Sequence, residues 1–273
     1  MTIRTSFGKH KIRNFIGLGV VVVAVVALAT PFIYIHFIEG PPPPKLSLPT
    51  TGTVNSSTGS SASSASGALN VGTGSVVGYR VSEKLLGQNS TAVGRTKKVW
   101  GLIDVRGTTI ASASFSVNMA SVVSDQAQRN SQFDGRIMDV TQYPTAKFTL
   151  TTPIDLGSTP QQGIVKQYSA TGELTMHGVT KSITFSVSIE GTSNGLAALA
   201  EIPVTFSTWN ISNPSIGGFV TTADSGTLEV LLNATTGTGN SPSSGGVSSS
   251  GGGFGTPVTV PSTTVPGLKL PSS

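Results

Sequence analysis

The sequence predicts an all-β domain, an antiparallel barrel of eight strands with one short lid helix, preceded by one transmembrane helix. Three observations carry this. Across residues 69–235, apolar and polar side chains alternate with a period of two in about eight separate stretches. A single segment, from Ser124 to Ile137, breaks the alternation with helical spacing. Near the N-terminus, residues 15–35 contain no charge.

Residues 1–14 form a basic stub, with Arg4, Lys9, Lys11 and Arg13 and no acid. Residues 15–38 follow as a signal anchor, since about 20 apolar residues span a hydrocarbon core of roughly 30 Å. Basic residues before the run and Glu39 after it place the N-terminus in the cytoplasm and the remainder outside. Cleavage behind Ala27-Leu28-Ala29 is the alternative, and it would release a secreted protein. Both readings export the domain from the cytoplasm.

Residues 39–68 are a linker, opening with Gly40 and four prolines and continuing in Ser, Thr and Gly. Such a composition buries too little apolar surface to offset its ordering entropy. The same holds for the tail, residues 236–273. Between them the strands run in order through Val77-Tyr79-Val81, Val99 to Val105, Phe115-Val117-Met119 and Phe148-Leu150. They continue through Tyr168 to Met176, Ile183-Phe185-Val187-Ile189, Ile202-Val204-Phe206 and Leu228-Val230-Leu232. Gly107-Thr108 and the stretch from Gly191 to Gly195 supply hairpin turns. One-sided alternation implies antiparallel strands with one wet face. An open sandwich is the rival to a closed barrel, which at eight strands can enclose one small ligand. In the helical segment, Phe133 and Ile137 share a face, with Gly135 between them.

Charge and composition exclude several functions. The domain holds 11 basic and 11 acidic residues, so it lacks the basic face of a nucleic-acid binder. The absence of cysteine excludes disulfides, thiolate metal sites and cysteine nucleophiles. His177 has no carboxylate or histidine cluster near it in sequence and reads as a turn residue with its ring in solvent. Gly74-Ser75-Val76-Val77-Gly78 is not a nucleophile elbow, and the nearby glycines miss the dinucleotide spacing. No cofactor, metal or catalytic residue is expected, and an enzyme is not the reading.

Several residues carry a family resemblance. Arg129-Asn130, Phe133, Ile137-Met138-Asp139-Val140, Tyr143-Pro144-Thr145 and Phe148 resemble the central signature of the YceI-like polyisoprenoid-binding family. Thr171-Gly172-Glu173-Leu174-Thr175, running on to Gly178-Val179-Thr180-Lys181, is similar to that family's second hairpin motif. A last strand with Leu228-Glu229-Val230 completes a likeness covering nearly the whole domain. Asn130 stands where the family usually has Asp, and Ile137-Met138 where it has aromatics. The early Val-x-Gly-x-Phe element survives only as Val93-Gly94-Arg95-Thr96. The resemblance implies an extended lipocalin-like barrel outside the cytoplasm, holding a long isoprenoid chain.

The alternation then names candidate lipid-binding positions. Phe115, Val117, Phe148, Leu150 and Leu174 face inward on the first strands, and Phe185, Val187, Val204, Phe206 and Val230 on the later ones. Arg129 is the charged candidate. It either pairs with Asp125 or Asp134 across a helical turn, or meets a polar head group at the barrel mouth. Partners are an isoprenoid or similar long-chain lipid and the membrane through residues 15–38. The isolated domain is expected as a soluble monomer or small oligomer, a homodimer included. A structural or envelope-stress adhesion module, its barrel filled by side chains, is the rival function.

Overall fold

Each alternating stretch of the sequence becomes a strand of one antiparallel sheet. The computed structural model describes residues 67–237, segment 41–49 and Val23, Val25 and Val26. The expected anchor at 15–38 lies outside the described residues apart from those three valines, and nearly all of the tail lies outside them too. No helix among the described residues is long and apolar enough to cross a membrane.

The first two barrel strands are each built from two pieces. β1 (Gly67–Val71) and β2 (Val76–Leu85) both pair antiparallel with the last strand, β13 (Ser225–Thr235). Likewise β4 (Val99–Arg106) pairs with β1 and β3 (Gln88–Thr96) with β2. The first barrel strand is therefore β1 continued by β2, and the second is β3 continued by β4. At the first break, Gly74 takes φ +90° and the fully buried Ser75 accepts the Asn233 N–H at 2.9 Å. At the second, the Thr96 hydroxyl receives the Lys98 N–H at 2.9 Å.

The meander continues through β5 (Thr109–Asn118), β7 (Thr145–Leu150), β9 (Lys166–Met176), β10 (Val179–Thr192) and β11 (Gly195–Thr205) into β13. Pairing of β13 with β1 and β2 closes the ring at eight strands, so the barrel is realised and the sandwich is not. Short pieces β6 (Val123–Ser124), β8 (Ile154–Asp155) and β12 (Val220–Thr222) attach to β3, β5 and β2. The helix α1 (Ala127–Gln132) runs on as a wider turn over Phe133–Ile137. Met119 and Phe206, expected inside strands, instead sit in 3₁₀ turns where the chain leaves the sheet.

These connections give the barrel two unlike ends. At one end the β4–β5 and β10–β11 hairpins close over side chains, among them Leu69, Val71, Leu196 and Ala234, all with no exposed surface. At the other stand the β2–β3 and β9–β10 turns, the crossover carrying α1, and the loop from β11 to β13.

The proline-rich segment 41–49 lies on the outer wall. Arg80 and Arg95 donate to the carbonyls of Pro43 and Pro44 at 2.8 and 2.5 Å, and Lys45 pairs with Glu201 at 2.9 Å. Beneath it, the Glu229 carboxylate is 1% exposed, taking Arg80 Nε on one oxygen at 2.7 Å and Arg95 Nη2 on the other at 2.7 Å. Composition gave no sign of this docking, because the contacts come from barrel residues distant in sequence.

Candidate functional site

The inward face of an alternating strand must be filled by side chains or by something else. In the closed half, side chains fill it. Toward the other end the inward residues leave a cavity of about 290 Å³. Its walls come from β2, β3, β5, β7, β9, β11 and β13, and its roof from α1, the Phe133–Ile137 turn and the loop from β11 to β13.

Eight of the eleven sequence candidates line this cavity: Phe115, Val117, Phe148, Leu174, Val204, Phe206, Val230 and Arg129. Leu150, Phe185 and Val187 face inward but lie further along their strands toward the closed end, outside its lining. Phe185 touches the site indirectly. Phe115, Phe148 and Phe185 form a row with ring centroids 5.5 and 5.4 Å apart. Gly172 on the intervening β9 makes that row possible, since a Cβ there would come within 2.5 Å of the Phe148 ring. Its place in the second motif thus reflects close approach, as glycine in a strand often does.

The roof is pinned by polar contacts. Asn130 Oδ1 accepts both the backbone N–H and the hydroxyl of Ser124 at 2.8 Å, fixing the start of α1 against β6. Phe133 stacks on Tyr79 at 5.2 Å. Gly94 leaves room for that tyrosine, as a Cβ there would meet its ring at 2.4 Å. Burial pushes the Tyr79 hydroxyl up to about 12, with nearby Arg129 opposing and the carboxylates of Glu83, Asp125 and Asp134 adding to the rise. Arg129 donates to Asp125 at 2.5 Å, as the helical spacing suggested, and also to Glu83 on β2 at 2.9 Å, which spacing could not show. It therefore ties the roof to the wall while still lining the cavity.

His177 departs from its expected setting. It is a turn residue, with φ +49°, yet its ring is half-buried, edge-on to Tyr143 at 4.8 Å. Its Nδ1 lies 3.0 Å from the Trp209 carbonyl, which can only accept, so Nδ1 carries the proton. Among the described residues no group of three His, Asp or Glu side chains could hold a metal ion.

Sequence reasoning missed Met176, Ile202 and Leu228 as lining residues, although the same alternation marks them as inward. It also missed Ile211, Pro214, Ile216 and Val220, which lie in or beside the irregular stretch before β12 and carry no periodic signal.

Residues 49–234 match the YceI-like domain. The chain belongs to that family. A UPF0312 protein of Pseudomonas putida is 37% identical over 79 residues, 29% of this chain and 38% of the relative. A second strain of that species carries one with the same figures, so the chain spans little more than a third of the curated relatives it matches. A polyisoprenoid binding domain from Saccharophagus degradans shares the fold at TM-score 0.51 and 14% identity, over 62% of this chain and 97% of that one. BcnA of Burkholderia cenocepacia is similar at TM-score 0.44 and 22% identity, over 58% and 96%. The signature residues quoted from the sequence map onto α1 and the stretch that follows it, onto β7, onto the β9–β10 hairpin and onto β13, and Arg129, Phe133, Phe148, Leu174 and Val230 among them line the cavity.

Proposed function

We propose that this protein is a membrane-anchored, extracytoplasmic carrier that binds an isoprenoid or similar long-chain lipid in the mouth half of its barrel, without catalysis. One observation carries the reading: the barrel is packed solid at one end and hollow at the other, with apolar strand faces around the hollow. A purely structural barrel has no need of the hollow half. The Saccharophagus relative, described as binding polyisoprenoid, supports the same ligand class. At about 290 Å³ the cavity sits at the lower edge of the roughly 300–1,000 Å³ usual for small-ligand sites. It therefore encloses part of a long chain while the rest extends through the mouth. Moving an apolar chain from bilayer to apolar cavity exchanges like for like, so shape decides preference. Any polar head lies by Gln126, Gln128 and Gln132, whose side chains border the cavity beside Arg129.

The test is titration of the full chain in detergent with prenols of increasing length, followed by fluorescence. Saturable binding that tightens with chain length and then levels off is expected. Absence of saturable binding across the whole series overturns the reading.

A further inference from the structure

We infer that the rim of the barrel mouth is a docking surface for a lipid bilayer, formed by Leu86 on the β2–β3 turn and by Ile216 and Phe219 ahead of β12. This rests on the proposed function for its lipid and its anchor. The three side chains are 44%, 41% and 64% exposed. They form one lip, because the Leu86 N–H donates to the Phe219 carbonyl at 2.8 Å and the Phe219 N–H to that of Ile216 at 2.9 Å. Gly217 and Gly218, at φ +22° and +75°, turn the chain tightly between Ile216 and Phe219. A Cβ on either glycine would meet nothing within 4 Å, so the tip stands clear of the barrel.

The lip is continuous with the cavity. Leu85, Ile216 and Val220 line it, and Leu85 pairs with Val220 across β2 and β12. Leu86 and Phe219 are the next residues along, turned outward. Apolar surface therefore runs unbroken from the lining to an exposed phenylalanine, the arrangement that lets a chain pass without meeting water. Two cations flank it, the exposed Lys84 and Arg136, the latter donating to the Pro214 carbonyl at 2.9 Å. Of the exposed acids at this end, Asp224 accepts from Asn213 at 2.7 Å and Asp125 is paired with Arg129 at 2.5 Å. Apolar tips with basic flanks suit an anionic bilayer surface.

The chain before the barrel selects a bilayer over other occupants. Arg80 on β2 holds the Pro43 carbonyl, five residues after Ile38, where the expected anchor ends. Five residues reach at most about 17 Å. From Arg80 to Leu85 is another five residues, about 17 Å along the strand. Segment 41–49 thus holds the lip side of the barrel within reach of the membrane surface.

The sequence has no cysteine, so one introduced thiol labels one position. We would place an environment-sensitive dye on Phe219→Cys, on Leu86→Cys and, as the control, on Leu102→Cys, which is exposed on β4 of the outer wall. The full chain is reconstituted in phosphatidylcholine–phosphatidylglycerol vesicles containing spin-labelled lipid, and loading of a fluorescent prenol is read in the same samples. Quenching about threefold stronger at 219 and 86 than at 102 is expected for a rim buried in the headgroup region. Equal or absent quenching at the three positions overturns the lip. Self-transfer between dyes at 219 without lipid quenching assigns the surface to a second copy of the chain, which also overturns it. Loading without quenching refutes the lip alone, whereas quenching without loading supports the lip and refutes the lipid-carrier reading.

Discussion

Replacing Glu229 by Gln tests whether the outer wall is held by the buried charge cluster beneath segment 41–49. The carboxylate is 1% exposed, while the Arg80 and Arg95 side chains are 17% and 21% exposed. Each carboxylate oxygen serves one guanidinium. A glutamine keeps the shape, but its amide nitrogen cannot accept, so one arginine loses its acceptor and both lose the compensating charge. Removing one partner of a buried ion pair costs about 3–5 kcal/mol, and the partial hydration of both arginines argues for the lower end, about 3 kcal/mol. At roughly 2–4 °C per kcal/mol for a domain of this size, the melting temperature should fall by about 6–12 °C. Thermal circular dichroism reads that shift. Limited trypsin digestion reads the strap, because cleavage after Lys45 should accelerate once the arginines no longer hold the Pro43 and Pro44 carbonyls. Glu201→Gln, which breaks only the exposed pair with Lys45, should move the melting temperature hardly at all. A Glu229→Gln shift no larger than that of Glu201→Gln, with unchanged cleavage at Lys45, would refute the reasoning.

Two further outcomes follow from the barrel interior. Tyr79 keeps its proton to about pH 12 in the fold but only to about 10 when unfolded. Stability should therefore be complete below pH 10 and fall as pH rises toward 12, by about 2–3 kcal/mol. Tyr79→Phe should remove that part of the alkaline loss in urea titrations at pH 9 and 11.5, and an unchanged alkaline slope would count against a buried phenol. Phe185→Asp, placing a carboxylate against the Phe148 ring, should cost about 3 kcal/mol or more. Ser186→Asp, exposed on the outer face, should stay within about 0.5 kcal/mol. Equal melting temperatures for the two variants would mean that the register of β10 is wrong.

Much of the barrel is legible in the sequence because its strands have one wet face. The stretch from Ile183 to Ile189 shows the principle: each inward residue is apolar and each outward one polar, and the register is observed as read. What escaped has definite causes. β3, running Gln88-Asn89-Ser90-Thr91-Ala92-Val93-Gly94-Arg95-Thr96, carries mostly small or polar residues and no apolar alternation, and its Gly94 is small because it must admit the Tyr79 ring. β1 begins at Gly67, two residues inside the expected linker, and is held largely by pairing with β4 and β13. The packed closed half was invisible for another reason. An inward valine reads the same whether it meets another side chain or an empty space, so Val187 and Val204 could not be told apart. Arg129 shows the limit for charges, since its Asp125 partner lies one helical turn away and its Glu83 partner 46 residues away.

Native mass spectrometry of the full chain, purified in detergent from the cells that make it and released gently, tests the lipid-carrier claim most directly. The expected spectrum shows protein carrying one added mass, which fragments as an apolar, isoprenoid-type chain. Val230→Trp places an indole in the cavity and should abolish that added mass while the β-rich circular dichroism persists. Bare protein alone in the wild-type spectrum, or an added mass unchanged by Val230→Trp, would contradict a lipid held in the mouth half of the barrel.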